Sequence, residues 1–314
     1  MTALTEILGT KYPLVQGSMA RISNHVLVIA VSKAGGLGVL TSVGLDQTGL
    51  RTEIKKVKAA TDQPFAVNLM LMMDNIADLV EVIIEEEVPI VMTGAGTPKP
   101  YMPMLLAAGV KVIPVIPSVK LAQKMEALGA VVVVAEGMES GGHIGATTTM
   151  ALVPQVVSAV HIPVIAAGGI GDGRGVAAAL ALGAQGGQIG TLFLTADETP
   201  IADAYKAAII DANDTATTVT GRQAGAPVRA LKNTMTNKYL ELEAQGATWA
   251  ELETVVLHSL AKAAFEGDLE NGSIMAGEIV GLIQTRRPVQ KIIEDLFHET
   301  EMVIKHLNNF KLNF

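Results

Sequence analysis

Residues 163–191 read PVIAAGGIGDGRGVAAALALGAQGGQIGT and hold two strand-to-helix turns in succession. A β-branched run at 163–167 ends in Gly168-Gly169, an Ala/Leu-rich helical stretch follows, and a second run at 187–190 ends in Gly190-Thr191. Tandem glycines let backbone N–H groups approach an anion, and the helix beginning near Gly173 is expected to add its positive end. The glycine-rich turns thus follow the last two strands of the series. A (β/α)8 barrel binds phosphate there, whereas a doubly wound open sheet carries its phosphate loop after the first strand. Residues 16–20 read Gln-Gly-Ser-Met-Ala, which does not fit G-x-G-x-x-G.

Working outward, further short apolar runs precede this stretch at 14–16, 38–41, 65–68, 90–93, 111–115 and 131–135. Helical periodicity separates them at 26–34, 76–86, 119–128 and 176–182, and Gly35, Gly109, Gly129 and Gly183 sit where a helix C-terminal glycine belongs. Eight βα units predict an α/β fold, a TIM barrel over 1–195. After Thr195 the rhythm stops and charge rises. Residues 196–271 are read as a smaller helical cap or insertion domain near the C-terminal side of the barrel. Residues 272–314 are read as a helical segment returning to the barrel.

Composition narrows the function. Lys+Arg of 23 against Asp+Glu of 31 gives −8, and no basic run is longer than the pair Arg286-Arg287, which argues against nucleic acid as a partner. The absence of cysteine excludes disulfides, thiolate metal sites and a cysteine nucleophile. The start MTALTEILGTKYP lacks the basic and apolar regions of a signal peptide. The mean hydropathy of +0.40 reflects buried parallel strands, because no apolar run approaches the ~20 residues of a spanning helix. A soluble, cytoplasmic protein is expected.

Barrel enzymes carry their chemistry at the carboxyl ends of the strands, here Gln16, Thr41, Asn68, Thr93, Glu136, Gly168 and Gly190. Residues 136–145, EGMESGGHIG, leave the sixth strand with two carboxylates, four glycines and one histidine. His143 is the candidate general acid or base. The other histidines stand at helix edges, in the cap or in the tail, and no His/Asp/Glu spacing suggests a metal. Met70, Met72 and Met73 are read as barrel packing, with an apolar channel as the other reading.

The strings EGMESGGHIG, AAGGIGDGRG, QIGT and GSIMAGEIVGLI, with LTEILGTKYPLVQG and APVRALKN, resemble the FMN-dependent enoyl-acyl-carrier-protein reductase II family. That family lies within a superfamily shared with the nitronate monooxygenases (2-nitropropane dioxygenase-like). The resemblance implies FMN across the barrel mouth, its phosphate at Gly168, Gly169, Gly190 and Thr191 with Gln188 nearby. It implies a flavin ring against Gly17, Ser18 and Met19, with Asn68 and Glu136 as polar contacts. Gly141 and Gly142 would allow close approach, Met275 would close one side, and His143 matches the active-site histidine. The implied reaction passes hydride from NADH or NADPH to the β-carbon of a trans-2-enoyl thioester on acyl-carrier protein. A homodimer is also implied, and a monovalent cation is allowed. Glu136 is the reductase residue where nitronate oxidisers usually have Gln. Arg21, where the reductases usually have Trp, and Leu192, where they have Arg, depart from the pattern. Arg222, Arg229, Lys232 and Lys238 form the nearest basic cluster for an acidic carrier, with a solvated surface as the other reading. The alternative activities are nitronate oxidation and quinone-type flavin reduction. A purine-nucleotide dehydrogenase would need a cysteine that is absent.

Overall fold

The computed structural model of the chain describes residues 3–309, so residues 1–2 of the expected barrel and 310–314 of the expected terminal segment lie outside it. Eight parallel strands form the barrel: β1 (Leu14–Gln16), β2 (Gly38–Thr41), β3 (Phe65–Met70), β4 (Ile90–Gly94), β5 (Lys111–Ile116), β6 (Val133–Glu136), β8 (Val164–Ala167) and β9 (Gly186–Ile189). The interposed β7 (Gly142–His143) belongs to a separate sheet. All eight barrel strands fall where the apolar runs predict them. The four expected glycines after helices all have positive φ, from 73° at Gly109 to 96° at Gly129.

The barrel closes at β1. On one side β1 pairs with β9 over its whole length. On the other, β1 meets β2 at a single bridge, Val15 to Leu37. The fully buried Gln16 extends that seam: its backbone N–H donates to Leu37 O at 2.9 Å and its side-chain Oε1 accepts from Val39 N at 3.0 Å. Its Nε2 donates to Ser23 Oγ at 2.9 Å and to the Gly17 carbonyl. A polar side chain therefore replaces ladder hydrogen bonds that the short β1 cannot supply.

Small residues permit the packing. A Cβ on Gly186 would lie 2.3 Å from Pro13 O, beside the β1–β9 seam. The terminal helix Val289–Asn308 packs on helix Gly173–Ala181, where a Cβ on Gly173 would lie 2.4 Å from Thr300 N.

The segment expected to be helical, 196–271, holds more than helices. Strands β10 (Thr217–Thr220) and β11 (Val228–Leu231) form an antiparallel hairpin, and β11 pairs in turn with β7. The β-branched run Thr217-Thr218-Val219-Thr220 carries the strand preference, and Gly221 at φ 75° and Gly225 at φ 75° turn the chain. No described helix is long and apolar enough to cross a membrane.

Replacing Gln16 with Leu leaves Val39 N–H buried without its acceptor. A stability loss of about 1–3 kcal/mol is expected in urea unfolding, and an unchanged midpoint would refute the seam role.

Candidate active site

A cavity of about 270 Å³ opens at the carboxyl ends of the barrel strands. Of the strand-end residues singled out in the sequence, Thr41, Asn68, Glu136, Gly168 and Gly190 line its wall, whereas Gln16 and Thr93 are buried and do not. Gly17, Ser18 and Met19 come from the turn after β1, and Asn68 comes from β3. Glu136, Gly141, Gly142 and His143 come from β6 and the loop beyond it. Gly168 and Gly169 follow β8, while Gln188, Gly190 and Thr191 end β9 and begin the next short helix. Met275 reaches the cavity from the returning segment.

The two glycine turns differ in what they leave free. Gly168 and Gly169 have φ of 90° and 73°, which only glycine adopts without strain. Helix Gly173–Ala181 does not offer its N-terminus to the cavity, contrary to expectation. Asp172 accepts from Arg174 N at 3.0 Å and Gly175 N at 3.1 Å, and Glu299 accepts from Gly173 N at 2.8 Å. Carboxylates already occupy those N–H groups, so the helix is capped rather than open to a ligand. At the second turn a Cβ on Gly190 would meet nothing within 4 Å. Thr191 Oγ1 accepts from Gly277 N at 2.9 Å, which leaves its hydroxyl proton available to a ligand.

Two further observations test whether a flat phosphorylated ligand fits. Ser18 Oγ and Gln188 Oε1 are buried without a hydrogen-bond partner among the described residues, a costly state that a bound polar ligand would relieve. The Cβ-free wall at Gly168, Gly169 and Gly190 leaves backbone accessible, and Met19, Met70, Met92, Val115 and Leu260 supply an apolar lining. These residues fit FMN. Of the methionine run, Met70 lines the cavity, Met73 packs against the core and Met72 is exposed.

The titratable groups are held away from their ordinary ionisation. Enclosure in the barrel floor pushes the Glu136 carboxyl up to about 7, with a hydrogen bond from Ser140 acting in the opposite direction. His143 sits at the mouth, and the protein packed around it pushes its imidazole down. Near neutral pH the site therefore presents a neutral imidazole and a carboxyl that is partly protonated.

Several supporting residues escape a sequence reading. Glu139 accepts from Thr149 N at 2.9 Å and from Thr149 Oγ1 at 2.9 Å, and that hydroxyl lies 3.0 Å from the Gly168 carbonyl. Arg229 is buried, not part of a surface cluster as expected. Its guanidinium donates to Met138 O at 3.0 Å and 3.2 Å and pairs with Glu278 at 2.8 Å. It thereby ties the His143 loop to the returning segment, while Arg222, Lys232 and Lys238 remain exposed. Buried Tyr205 donates to Met275 O at 2.9 Å. Leu192 packs in the core and does not line the cavity. The string 226–233 contains Arg229, but nothing local in it reveals the partner at Glu278.

The chain matches the family model described as nitronate monooxygenase over residues 1–81 and 76–299. The solved structure of FabK from Thermotoga maritima is similar with a TM-score of 0.96 and 44% identity, covering 99% of each chain. Among curated proteins, a (3aS,4S,5R,7aS)-5-hydroxy-7a-methyl-1-oxo-octahydro-1H-indene-4-carboxyl-CoA dehydrogenase of Rhodococcus jostii is 40% identical, over 75% of this chain and 67% of that one. A probable nitronate monooxygenase of Staphylococcus saprophyticus is 33% identical, over 90% and 93%.

Two outcomes follow from this geometry. Gly190→Val should keep the stability of the flavin-free protein within about 1 kcal/mol and abolish FMN binding; normal flavin occupancy would remove this turn from the phosphate site. Glu136 has a folded pKa raised above its ordinary value, so its contribution is fully present below about pH 4.5 and is lost as pH rises through about 7. Flavin-free Glu136→Gln should therefore gain roughly 2–3 kcal/mol on the wild type between pH 4.5 and pH 8. Parallel stability curves would contradict the raised pKa.

Proposed function

The chain belongs to the nitronate monooxygenase family, and from that premise we propose that it is an FMN-dependent NAD(P)H oxidoreductase that saturates trans-2-enoyl thioesters. The observation that carries this reading is the chemistry of the cavity wall. Among the described residues it holds two carboxylic acids, one imidazole, a broad apolar surface and no lysine or arginine. Such a lining offers no lysine or arginine to a small reacting anion such as a nitronate and suits a neutral acyl chain. Glu136, the reductase residue at its position, and the likeness to FabK support the same choice.

FMN, when bound, supplies the hydride chemistry. The chain's own residues bind, orient and exclude water. Gly168, Gly169, Gly190 and Thr191 would hold the phosphate, and Ser18, Asn68, Glu136 and Gln188 would supply polar contacts. Gly17, Met19, Gly141, Gly142 and Met275 would enclose the flat ring. His143 places a neutral N–H at the mouth, where it hydrogen-bonds the thioester oxygen as negative charge builds there. Its backbone is fixed for this role by pairing with Val228 and by the bond from Ile144 N to Pro227 O at 3.1 Å. The apolar side chains Met70, Met92 and Leu260 accommodate the acyl chain and keep water from the reacting carbon.

The acyl group arrives on an acyl-carrier protein in this proposal, and exposed Arg222, Lys232 and Lys238 offer a basic surface to that acidic partner. A cytoplasmic homodimer completes the reading. The second reading, nitronate oxidation, is favoured by the similarity to the Staphylococcus saprophyticus protein. Anaerobic mixing separates the two. Bleaching of the flavin by NADH or NADPH, followed by recolouring with crotonyl thioester, is expected. Bleaching by a nitronate but by neither nicotinamide would overturn the reductase reading in favour of the second, and recolouring by a quinone alone would indicate quinone reduction.

His143→Ala should retain bound FMN and lose turnover by about 100-fold or more. Unchanged steady-state kinetics would exclude the imidazole from the reaction.

A further inference from the structure

Arg21 and Arg222 are the two arginines without a carboxylate partner among the described residues, and of these only Arg21 stands between cavity-lining residues. Of the seven in the sequence, Arg51, Arg174, Arg229, Arg286 and Arg287 pair with carboxylates. Among the described residues the exposed Arg21 side chain has neither a hydrogen bond nor an ion pair, in a chain of net charge −8. Its backbone is left-handed at φ 62°, a conformation that costs a side-chain-bearing residue on the order of 1 kcal/mol. The residues on either side, Ala20 and Ile22, both line the cavity.

The neighbouring loop lies against the guanidinium. A Cβ on Gly44, which has φ 84°, would lie 3.3 Å from Arg21 Cζ and 3.4 and 3.6 Å from its two terminal nitrogens. Glycine at 44 therefore leaves room for the guanidinium to lie against the loop, and the preceding Val43 also lines the cavity. Asp46, the acid of the same loop, already accepts from Gly49 N at 2.7 Å. An uncommitted planar cation thus lies between two rim loops, beside a cavity whose own wall has carboxyls and no lysine or arginine.

We propose that Arg21 is the anion-recognising residue of this site, taking a phosphate oxyanion of the reaction partner at a distance from the reacting carbon. The guanidinium fork matches two phosphate oxygens at once, and such bidentate pairing is stronger than an ordinary exposed ion pair. The identity of the partner rests on the enoyl-reductase reading, under which two molecules carry the group. One is the nicotinamide dinucleotide, and the other is a thioester built on phosphopantetheine. A division of labour follows: the acidic and apolar wall accepts the neutral reacting end, and the rim cation accepts the charged distal end.

Direct binding tests this without relying on turnover. FMN-loaded wild type, Arg21→Ala and Arg21→Lys are titrated calorimetrically with coenzyme A and with 2′-phospho-ADP-ribose, at low and high salt. At least one probe should bind Arg21→Ala about tenfold more weakly, or about 1.4 kcal/mol. Arg21→Lys should fall between, and the salt dependence of wild type should flatten in Arg21→Ala. The probe that responds identifies the source of the phosphate. Equal dissociation constants in wild type and Arg21→Ala for both probes, or no binding of either, overturn the proposal. The crotonyl thioester of N-acetylcysteamine, which carries no phosphate, keeps the two readings apart. Its reduction by wild type alongside unchanged probe binding sinks the role of Arg21 alone. Failure to reduce it or crotonyl-CoA, with the binding difference intact, sinks the enoyl-reductase reading alone.

Discussion

The buried Gln16 amide is the point on which the architecture turns. With β1 only three residues long and joined to β2 at one bridge, this side chain completes the closure of the cylinder. Closure in one parallel direction is what delivers eight strand ends to a single rim. The Gln16 side chain ties β1, which β9 already holds along its length, to the β2 edge of the cylinder. Gly17 N donates to Ile189 O at 2.8 Å between β1 and β9, so the turn after β1 and the turn after β9 share one hydrogen bond.

A second set of contacts, distant in sequence, turns the rim into a cavity. The returning segment donates from Gly277 N to Thr191 Oγ1 and from Glu278 N to Glu139 O at 2.9 Å. Close approach is possible because Gly141 and Gly277 lack side chains: a Cβ on either would lie within 2.8 Å of the opposing backbone. Arg229, itself buried, then fastens the His143 loop to the half-exposed Glu278 with a charge-assisted bond. The imidazole is positioned by the hairpin pairing, and the phosphate turn by the returning segment. Both depend on the same cover.

What was legible in the sequence is what local physics decides. Strand positions follow from short β-branched runs, helix ends from glycine, and the cavity wall from the rule that strand ends gather on one face. The strand-end residues Asn68, Glu136, Gly168 and Gly190 accordingly meet on that wall, while Gly17, Met19, Gly141, Gly142 and Met275 were implied by the family resemblance and line it too. Less legible were features set by competition or by remote partners. The start of helix Gly173–Ala181 looks like an anion site until Asp172 and Glu299 are seen to occupy its N–H groups. Arg229 looks like a surface cation, yet its side chain is buried between the Met138 carbonyl and the half-exposed Glu278. The strand Thr217–Thr220 has a β-branched preference but sits in a polar stretch, and pairing with β11 completes it.

The account comes down to where one phosphate is held, since the position of the ring and of everything that reacts against it follows from that. A crystal structure of the FMN-loaded protein measures this directly. The account predicts the FMN phosphate within hydrogen-bond distance of backbone N–H groups at Gly169 and Gly190 and of the Thr191 hydroxyl, with the ring extending past Met19 toward His143. A flavin bound elsewhere, or a phosphate seated on the Asp172-capped helix, would contradict it.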